Sequence, residues 1–316
     1  MPTQAEAKTP LPIEIVRMRD HRWRRTRLRR LRTPADARRF VRTVGFCLFW
    51  PTEGIEMPNL LHAIAGNARP LAAGFDDPSI GRSWSWKDEA LDKRWWYYGK
   101  LLRRRSTLVS LELLPAFYAL SENYGDPQDY LVEYREGRLS AEAKAVLEAL
   151  MENGPLDTIR LRQEARLANP QVKARFDRAL VELQGGLKVL PVGVAEAGAW
   201  NYAFIYDLVD RWFPDLDARA RQLTTRQARE AIAQGMVKNL VAATPADLRR
   251  SLGWSVRDID RTLEGLVEAG SLRRMAQGES VYFVAARWAG AVGRALRRKA
   301  TRRASAQRTS PRGGRR

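Results

Sequence analysis

The segment from residue 140 to residue 206 constrains the fold most, because helix caps and apolar spacing agree over three successive stretches of it. The predicted cap residues are Ser140 for the first helix, Asp157 or Thr158 for the second, and Asn169 for the third. In each stretch apolar residues recur three or four positions apart, which is the spacing that buries one face of a helix. The sequence therefore predicts three short helices here.

A hairpin is predicted directly after the third helix. Residues 187–194 and 200–206 are rich in apolar residues, and a short turn that contains glycine separates them. Three helices followed by such a hairpin make up a winged helix, in which the last helix of the helix-turn-helix pair enters a DNA groove. The polar face of that helix carries Lys173, Arg175 and Arg178, and we expect these residues to contact DNA.

The same pattern recurs between Thr225 and Val284. Caps, apolar spacing and a glycine-containing hairpin again predict three helices and two strands. The third helix of this segment exposes Arg257 and Arg261 next to several acidic residues, so we expect it to bind DNA less well than the first one. The predicted fold class is a mainly α protein with small β-hairpins, built from tandem winged helix-turn-helix domains.

The net charge of +19 is concentrated in two stretches of the chain. Arginines crowd residues 17–42 and residues 285–316, whereas the rest of the chain is nearly neutral. Each cation that contacts a phosphate releases counterions, so basic ends on a neutral body favour a nucleic-acid partner. The alternative is that the ends are disordered and only keep the protein solvated.

These patterns divide the chain into a disordered basic arm (1–32), an N-terminal helical domain (33–135), a first winged helix (136–214), a second winged helix (215–284) and a disordered basic tail (285–316). In the arm, Trp23, Leu28 and Leu31 interrupt the arginines, so a basic helix that folds on binding is an open alternative to a flexible arm. Thr33 and Pro34 then mark the start of a helix.

Several classes of function lack the residues that they need. One cysteine and two histidines cannot supply a usual zinc site, and no glycine-rich phosphate loop or catalytic serine motif is found. No apolar run is long enough to span a membrane, and the amino terminus has no signal-peptide core, so we expect a cytoplasmic protein that associates with the nucleoid when bound to DNA. No heptad pattern is present, and we expect a monomer without a metal or cofactor.

Aromatic and basic residues lie close together between residues 84 and 105. Lys100, Arg103, Arg104 and Arg105 follow a group of tryptophans and tyrosines, and such a stretch can stack bases and hold phosphates. We therefore include these four cations among the predicted DNA contacts. Aromatic residues at helical spacing more often build a core, and we expect most of the rings to be buried.

Four stretches, in the order GPLDT, FDRALVELQ, VGVAEAGAWNYAFIYDLVDRWFP and ATPADLRRSLGW, resemble the AlkZ/YcaQ-like family of winged-helix DNA glycosylases. The resemblance covers residues 35–284, and the order of the stretches is more specific than any one of them. It implies a concave basic channel for duplex DNA, formed by tandem winged helices. Members of this family excise alkylated bases and unhook crosslinks, so the resemblance also implies a function in DNA repair.

The chain departs from this family at its catalytic motif, which is Gln-apolar-Gln or Gln-apolar-Asp. The motif aligns with Leu48, Phe49 and Trp50, so both polar residues that position the attacking water are absent. A leucine and a tryptophan cannot accept a proton from water, and the general-base chemistry of the family is not expected here. Glu53 lies near the lost motif, and Glu112 roughly matches a His-Glu pair of relatives, so these two are the candidate catalytic residues.

Three functions are compatible with the sequence. The first is a DNA-binding relative of the glycosylases that recognises duplex or damaged DNA, with lost or altered glycosylase activity. The second is an active glycosylase for alkylated or crosslinked bases that uses other residues, although such an enzyme needs an activated water beside a flipped base. The third is a winged-helix transcription regulator, although no dimerisation element is visible. We favour the first.

Overall fold

The computed structural model describes residues 11–68, 77–121, 123, 126, 128–198 and 201–308, with side chains up to residue 298. This part of the chain is mainly helical, with small antiparallel sheets. The helices are α1 (Ile13–Arg22), α2 (Pro34–Val44), α3 (Leu60–Ala65), α4 (Pro78–Asp92), α5 (Leu114–Tyr118), α6 (Asp129–Arg135), α7 (Ala141–Asn153), α8 (Thr158–Glu164), α9 (Lys173–Gly185), α10 (Val209–Trp212), α11 (Leu216–Arg221), α12 (Thr225–Leu240), α13 (Pro245–Leu252), α14 (Val256–Glu268) and α15 (Ala289–Arg308). The strands are β1 (Phe46–Leu48), β2 (Tyr97–Gly99), β3 (Thr107–Val109), β4 (Leu156–Asp157), β5 (Val189–Ala195), β6 (Ala203–Leu208), β7 (Ala242–Ala243), β8 (Leu272–Gln277) and β9 (Ser280–Ala285).

One order of elements recurs along the chain: a helix, a short strand, two helices and two strands. We call residues 34–109 the first repeat, 141–208 the second and 225–285 the third. In each repeat the first strand pairs with the last, which gives the sheet orders β1-β3-β2, β4-β6-β5 and β7-β9-β8. All of these strand pairs are antiparallel. The third helix of each repeat is therefore α4, α9 or α14.

The helix starts predicted for the second and third repeats are confirmed except at Asn169, which caps the short 3₁₀ turn Pro170–Val172 directly before α9. The side chains of Ser140, Asp157 and Ser255 each accept a hydrogen bond from the first turn of the helix that follows. Thr244 forms a reciprocal capping box with Asp247 at the start of α13. These contacts satisfy backbone N–H groups that have no partner within the helix, and they depend on nearby residues alone.

In the first repeat the start of α2 at Thr33 and Pro34 agrees with the prediction, whereas the three-stranded sheet does not. Residues 33–135 were expected to form a helical domain, but they contain the three-stranded sheet β1-β3-β2. The strands of this sheet have three residues each and are buried on both faces. A short strand that is buried on both faces shows no alternation of polar and apolar residues, so its period cannot be recognised in the sequence.

The expectation of a disordered basic arm is wrong for residues 11–32, which are folded against the body of the protein. Arg19 is almost fully buried and donates hydrogen bonds to the carbonyl oxygens of Leu240 and Ala242, and it also pairs with Glu56. Residues 1–10 lie outside the described part of the chain. The arm folds because its apolar residues and one of its arginines meet partners at the far end of α12.

The basic tail, expected to be disordered from residue 285 onward, instead forms α15 over residues 289–308. Val292, Ala295 and Leu296 of this helix are buried in a small core that they share with Ile15 of α1. Residues 309–316 lie outside the described part of the chain. The two basic ends therefore pack together, since each carries a few apolar residues at helical spacing.

The largest core contains residues of all three repeats, including Leu190 of the second, and its contact between the first and third repeats runs through α12. The ring of Phe46 in β1 contacts that of Phe117 in α5, with centroids 5.5 Å apart. Gly235, in the middle of α12, allows the Phe46 ring to come close, because a Cβ at this position would lie only 3.3 Å from Phe46 Cε1. The shared core makes the first and third repeats one packed body, whereas the predicted division at residues 135, 214 and 284 stays a prediction. Across the described residues, no helix combines the length and apolarity that crossing a membrane requires.

We expect Arg19→Met to lower the free energy of unfolding by about 2 to 4 kcal/mol, because two buried carbonyl oxygens would lose their donors. Arg17→Met is the matched control, since Arg17 lies on the exposed side of the same helix. The control should change stability by less than about 0.5 kcal/mol. Urea unfolding of the full chain measures both values, and equal effects of the two changes would show that the arm is not held as described.

Candidate functional site

The third helix of the first repeat, α4, presents two different groups of side chains. The helix starts at Asp77, whose side chain accepts a hydrogen bond from the Ser79 amide at 2.9 Å. Arg82 and Trp86 lie four residues apart on one face, with Arg82 exposed and Trp86 buried. Lys87 and its neighbours point from an adjacent face into the interior. One helix thus contributes to a surface groove and to a buried cluster.

The buried cluster is a cage of aromatic rings around Lys87. The Lys87 side chain is fully buried, and its Nζ lies 4.3 Å from the ring centroid of Trp84 and 4.2 Å from that of Phe204. The rings of Tyr98 and Tyr202 are each 5.4 Å from the same atom. We call these four rings the aromatic cage. Two of them belong to the first repeat and two lie at the hairpin of the second, so the cage joins these repeats.

Polar groups complete the surroundings of Lys87. Its ammonium lies 2.6 Å from Asp88 Oδ1 and donates a hydrogen bond to the Tyr202 hydroxyl at 2.7 Å. Tyr202 in turn donates to Asp88 at 2.9 Å. Burial lowers the pKa of Lys87 to about 8, although Asp88 acts in the opposite direction. Cation–π attraction and one carboxylate therefore only partly offset the desolvation of this charge.

The residues that align with the family's catalytic motif pack beside this cage. Leu48 is buried within β1, and Phe49 stacks on Trp50 with ring centroids 5.3 Å apart. Trp50 Nε1 donates a hydrogen bond to Ser83 Oγ at 3.2 Å, and its ring meets Trp84 edge-on. Lys87 Nζ is 6.0 Å from the Phe49 ring centroid. Leu48 and Trp50, the two positions where the resemblance leads us to expect the polar pair, are thus packed among apolar and aromatic side chains close to Lys87.

The surface groove lies between the amino-terminal arm and α4. It is lined by Arg30 and Arg32 of the arm and by Arg82 and Trp86 of α4. We call it the arginine groove. A second groove along the arm shares Arg30 and Arg32 with it and is further lined by Arg24, Leu28, Arg29, Leu31, Asp36 and Arg39.

Asp36 is a carboxylate along the arginine groove, and it already has hydrogen-bond and ion-pair partners within the protein. It forms a capping box with Thr33 at the start of α2 and pairs with Arg39. Burial alone would raise the pKa of Asp36, but hydrogen bonds from the Arg32 and Thr33 amides, together with Arg39, lower it. No ion pair engages Arg30, Arg32 or Arg82 within the described residues. The groove therefore presents three guanidinium groups that have no acidic partner among the described residues.

The predicted contacts on α9 are exposed, but two of them are paired with acids. Lys173 Nζ lies 2.5 Å from Asp177 Oδ2, and an Arg175 Nη1 atom lies 3.6 Å from Glu142 Oε1. Arg178 is exposed on the same helix. These surface pairs reduce the positive field of α9 relative to that of the arginine groove.

The predicted contacts at residues 100–105 lie on the turn between β2 and β3. Lys100 is half-buried and donates to Ser106 Oγ at 2.8 Å, and burial together with Arg105 lowers its pKa. Arg103 lies against Gly253 at the end of α13, where an added Cβ would come within 3.0 Å of Arg103 Nη1. Arg104 and Arg105 are exposed. This turn occupies the position in the first repeat that the β5–β6 hairpin occupies in the second.

On α14 of the third repeat, Arg257 and Arg261 are exposed one turn apart. Acidic residues of the same helix are engaged by other arginines, since Arg229 contacts Asp258 at 2.9 Å and Arg274 approaches Glu264 at 3.5 Å. The two exposed arginines are therefore accessible, although they lie on a helix of mixed charge.

Neither candidate catalytic carboxylate is buried. Glu53 is exposed in the turn after β1. Glu112 is exposed and accepts a hydrogen bond from Arg42 Nε at 2.7 Å. Burial would raise the pKa of Glu112, but hydrogen bonds from its own amide, Ser110 and Arg42 lower it. A carboxylate stabilised in its charged form at the surface is a weak base, which does not suit the activation of water.

Most of the aromatic residues expected to be core are buried, as Trp86, Trp96, Tyr97 and Tyr98 show. The sequence prediction missed the arginine groove and Lys87. A signal for the groove exists in the spacing of Arg82 and Trp86, which places them on one face of a helix. No group of histidine, cysteine, aspartate or glutamate able to hold a metal occurs in the described part of the chain.

We expect Lys87 to make stability depend on pH in the alkaline range. Its pKa is about 8 in the folded state and near the ordinary value of 10.5 when unfolded, so between these values the unfolded state binds more protons. Stability should therefore rise with pH across this window. The unfolding free energy of the wild type, measured relative to Lys87→Met, should increase by about 2 kcal/mol between pH 7 and pH 9.5.

The control for this measurement is Lys93→Met, because Lys93 is exposed just after α4, where it pairs with Glu89 at 2.7 Å and lies 5.0 Å from the Trp95 ring centroid. The stability difference between wild type and this control should be flat over the same range. A flat difference for Lys87→Met as well would contradict burial of a lysine in the cage.

Comparisons with known proteins agree with this architecture. A family model described as AlkZ related matches residues 31–253, which is more than half of the chain. Among solved structures, the chain is similar to the Streptomyces sahachiroi DNA glycosylase AlkZ, with a TM-score of 0.54 and 14% sequence identity; the match covers 90% of this chain and 72% of that chain. No curated protein matches it. The structural likeness shows the fold, and the family model shows that this chain belongs to the AlkZ-related family.

Proposed function

We propose that this protein binds duplex or damaged DNA and that its base-excision chemistry is lost or altered. Membership in the AlkZ-related family supports DNA as the partner, since the similar solved structure is named as a DNA glycosylase. The packing of Leu48 and Trp50 beside the aromatic cage is the observation that supports lost or altered base excision. Neither Leu48 nor Trp50 can accept a proton from water, so these two residues cannot replace the polar pair of the family's motif.

The three repeats are, on this proposal, winged helices. Each has the helix, strand and hairpin order of that motif, with the first strand paired to the last. A winged helix places its third helix in or against a DNA groove and its hairpin on the adjacent backbone. The helices α4, α9 and α14 are then the elements that face DNA, and the turn after β2 is the wing of the first repeat.

Among these helices, α4 is the strongest candidate for DNA contact. Its Arg82 joins Arg30 and Arg32 of the arm in one groove. Sequence-independent affinity depends on how many cations can replace counterions at phosphates, so free guanidinium groups contribute more than those already paired with carboxylates. We therefore propose the arginine groove as the main surface for DNA, with Arg178 and the turn at Arg104 and Arg105 as secondary contacts.

The triple change Arg30→Ala, Arg32→Ala and Arg82→Ala should weaken binding to a plain duplex about 10- to 100-fold at moderate salt. It should also reduce the slope of log affinity against log salt concentration by about 2 to 3, because three phosphate contacts are removed. Fluorescence anisotropy at several salt concentrations measures both quantities on the full chain.

The matched control is Arg138→Ala, Arg221→Ala and Arg226→Ala, which removes the same charge from three arginines that pair with acids. A loss in the control equal to that in the groove variant would show that only total charge matters. A larger loss on changing Lys173, Arg175 and Arg178 would move the main surface to α9. Binding that depends strongly on one base sequence would favour a transcription regulator instead.

A second candidate function, an active glycosylase that uses other residues, is favoured by the network of Lys87, Tyr202 and Asp88. A lysine with a lowered pKa in a dry site is the kind of group that enzymes use for proton transfer or covalent catalysis. Lys87 itself is fully buried among the rings of the cage, however, whereas Asp88 and Tyr202 are half-buried, so a substrate could approach the network only from the side of these two residues.

We expect no free base to be released in single-turnover reactions on a duplex that carries N7-alkylguanine or a crosslink. The reaction needs an activated water at the sugar carbon, and the packing beside the cage provides none. Chromatography of the released bases measures the outcome. Release that is abolished in Lys87→Met, but not in Glu53→Gln, would establish the second candidate and contradict lost activity.

A further inference from the structure

The most exposed large apolar residue of the described chain is Leu28, at 89%. It lies at the tip of a turn closed by a hydrogen bond from the Arg29 amide to the Thr26 carbonyl at 2.9 Å. Arg27, Arg29 and Arg30 beside it are also exposed. A single exposed leucine is common in proteins and means little alone. Its position on a fixed turn among unpaired arginines is less common.

The turn is anchored at its amino-terminal side by Trp23, whose side chain is buried. Trp23 Nε1 donates to the carbonyl oxygen of Asn239 at 2.7 Å, and the Arg25 guanidinium stacks over the Trp23 ring at 4.3 Å. Arg24 adopts a left-handed backbone with φ 59°, which turns the chain sharply out of α1. Such strained positions persist where the surrounding contacts hold them.

The turn is anchored at its other side by Leu31. This side chain is buried, and its amide donates to the Ala63 carbonyl at 2.8 Å. Between the two anchors the turn rests on Gly66, at the end of α3, where a Cβ would lie 2.9 Å from Arg30 Cβ. Gly66 has φ 77°, so a glycine serves both the helix end and the close approach.

We propose that Leu28 is a wedge that inserts between stacked bases while the neighbouring arginines hold the phosphates on either side. The inference rests on the proposed DNA-binding function. Proteins that bend or open a duplex often insert an apolar side chain from a basic element into a base step, and a rigid support is needed because unstacking costs free energy. The turn meets these requirements, because it is basic, carries the exposed Leu28 side chain at its tip and is fixed at both ends.

The position of the wedge fits the arginine groove. Leu28, Arg29 and Arg30 line one continuous groove with Arg32, and Arg30 also faces Arg82 of α4. A duplex whose backbone lies along this groove brings its bases to the turn. The wedge would thus open the duplex next to the helix that faces DNA, a step that recognition of a damaged or extruded base requires.

The test uses full-length protein and short duplexes in which 2-aminopurine, a base that fluoresces when unstacked, is moved across successive positions. We expect wild-type protein to raise the fluorescence about threefold or more at one or two adjacent positions, because a wedge unstacks a local step. Leu28→Ala should remove this increase, whereas its affinity measured by anisotropy should fall less than about threefold, because the phosphate contacts stay.

Val132→Ala is the matched control, because Val132 is also an exposed apolar residue but lies on α6 next to acidic residues. It should behave as the wild type does, and Leu28→Phe should keep the signal. Binding without any fluorescence change in the wild type, or an unchanged signal in Leu28→Ala, would overturn the wedge and leave DNA binding standing. Absence of binding in the wild type at low salt would overturn both.

Discussion

The carboxyl end of α12 holds the amino-terminal arm, and the arginine groove depends on this contact. The last carbonyl groups of a helix have no donors within the helix and need partners from elsewhere. Here the carbonyl oxygens of Asn239 and Leu240 at the end of α12 accept hydrogen bonds from Trp23 and Arg19 of the arm, and Arg19 also donates to the carbonyl oxygen of Ala242 in β7. The arm therefore supplies hydrogen-bond donors to buried carbonyl oxygens whose loss of partners would destabilise the fold. The same hydrogen bonds fix the arm in one position.

This constraint converts a run of arginines into a surface with a defined shape. A flexible basic arm would lose conformational entropy each time it became ordered on DNA, and this loss would weaken binding. An arm that is already ordered in the free protein loses less conformational entropy on binding. It also holds Arg30 and Arg32 opposite Arg82 before DNA arrives. Packing of the arm against α12 is thus the structural link between folding and the proposed binding.

The aromatic cage has a comparable role between the first and second repeats. Burying the Lys87 ammonium is unfavourable in itself, and the cage, Asp88 and Tyr202 compensate only as long as both repeats are in place. Trp84 and Tyr98 come from one repeat, and Tyr202 and Phe204 come from the other. The same cluster packs beside Leu48 and Trp50, which links the geometry of the repeats to the proposed loss of water activation.

The sequence predicted what depends on neighbouring residues and missed what depends on distant ones. Caps such as Ser140 and the box of Thr33 with Asp36 involve residues three positions apart, and they were found. The sequence did not predict the sheet of the first repeat, because its three-residue buried strands lack alternation of polar and apolar residues. The contact of Arg19 with Leu240 spans 221 positions and that of Lys87 with Tyr202 spans 115, so neither the folded arm nor the cage was visible. The clusters of arginine are visible in the sequence, but the surface that Arg30 and Arg32 form with Arg82 depends on contacts across 50 positions or more.

The central claim is that DNA lies along the groove between the folded arm and α4. Hydrogen–deuterium exchange of the full chain, with and without a short duplex at low salt, tests it most directly, because bound DNA slows exchange of the amides that it covers or rigidifies. The account predicts that protection is greatest in peptides covering residues 24–32 and 78–90, and smaller in those covering α9 and α14. Protection confined to α9 and α14, with the arm unchanged, would contradict it.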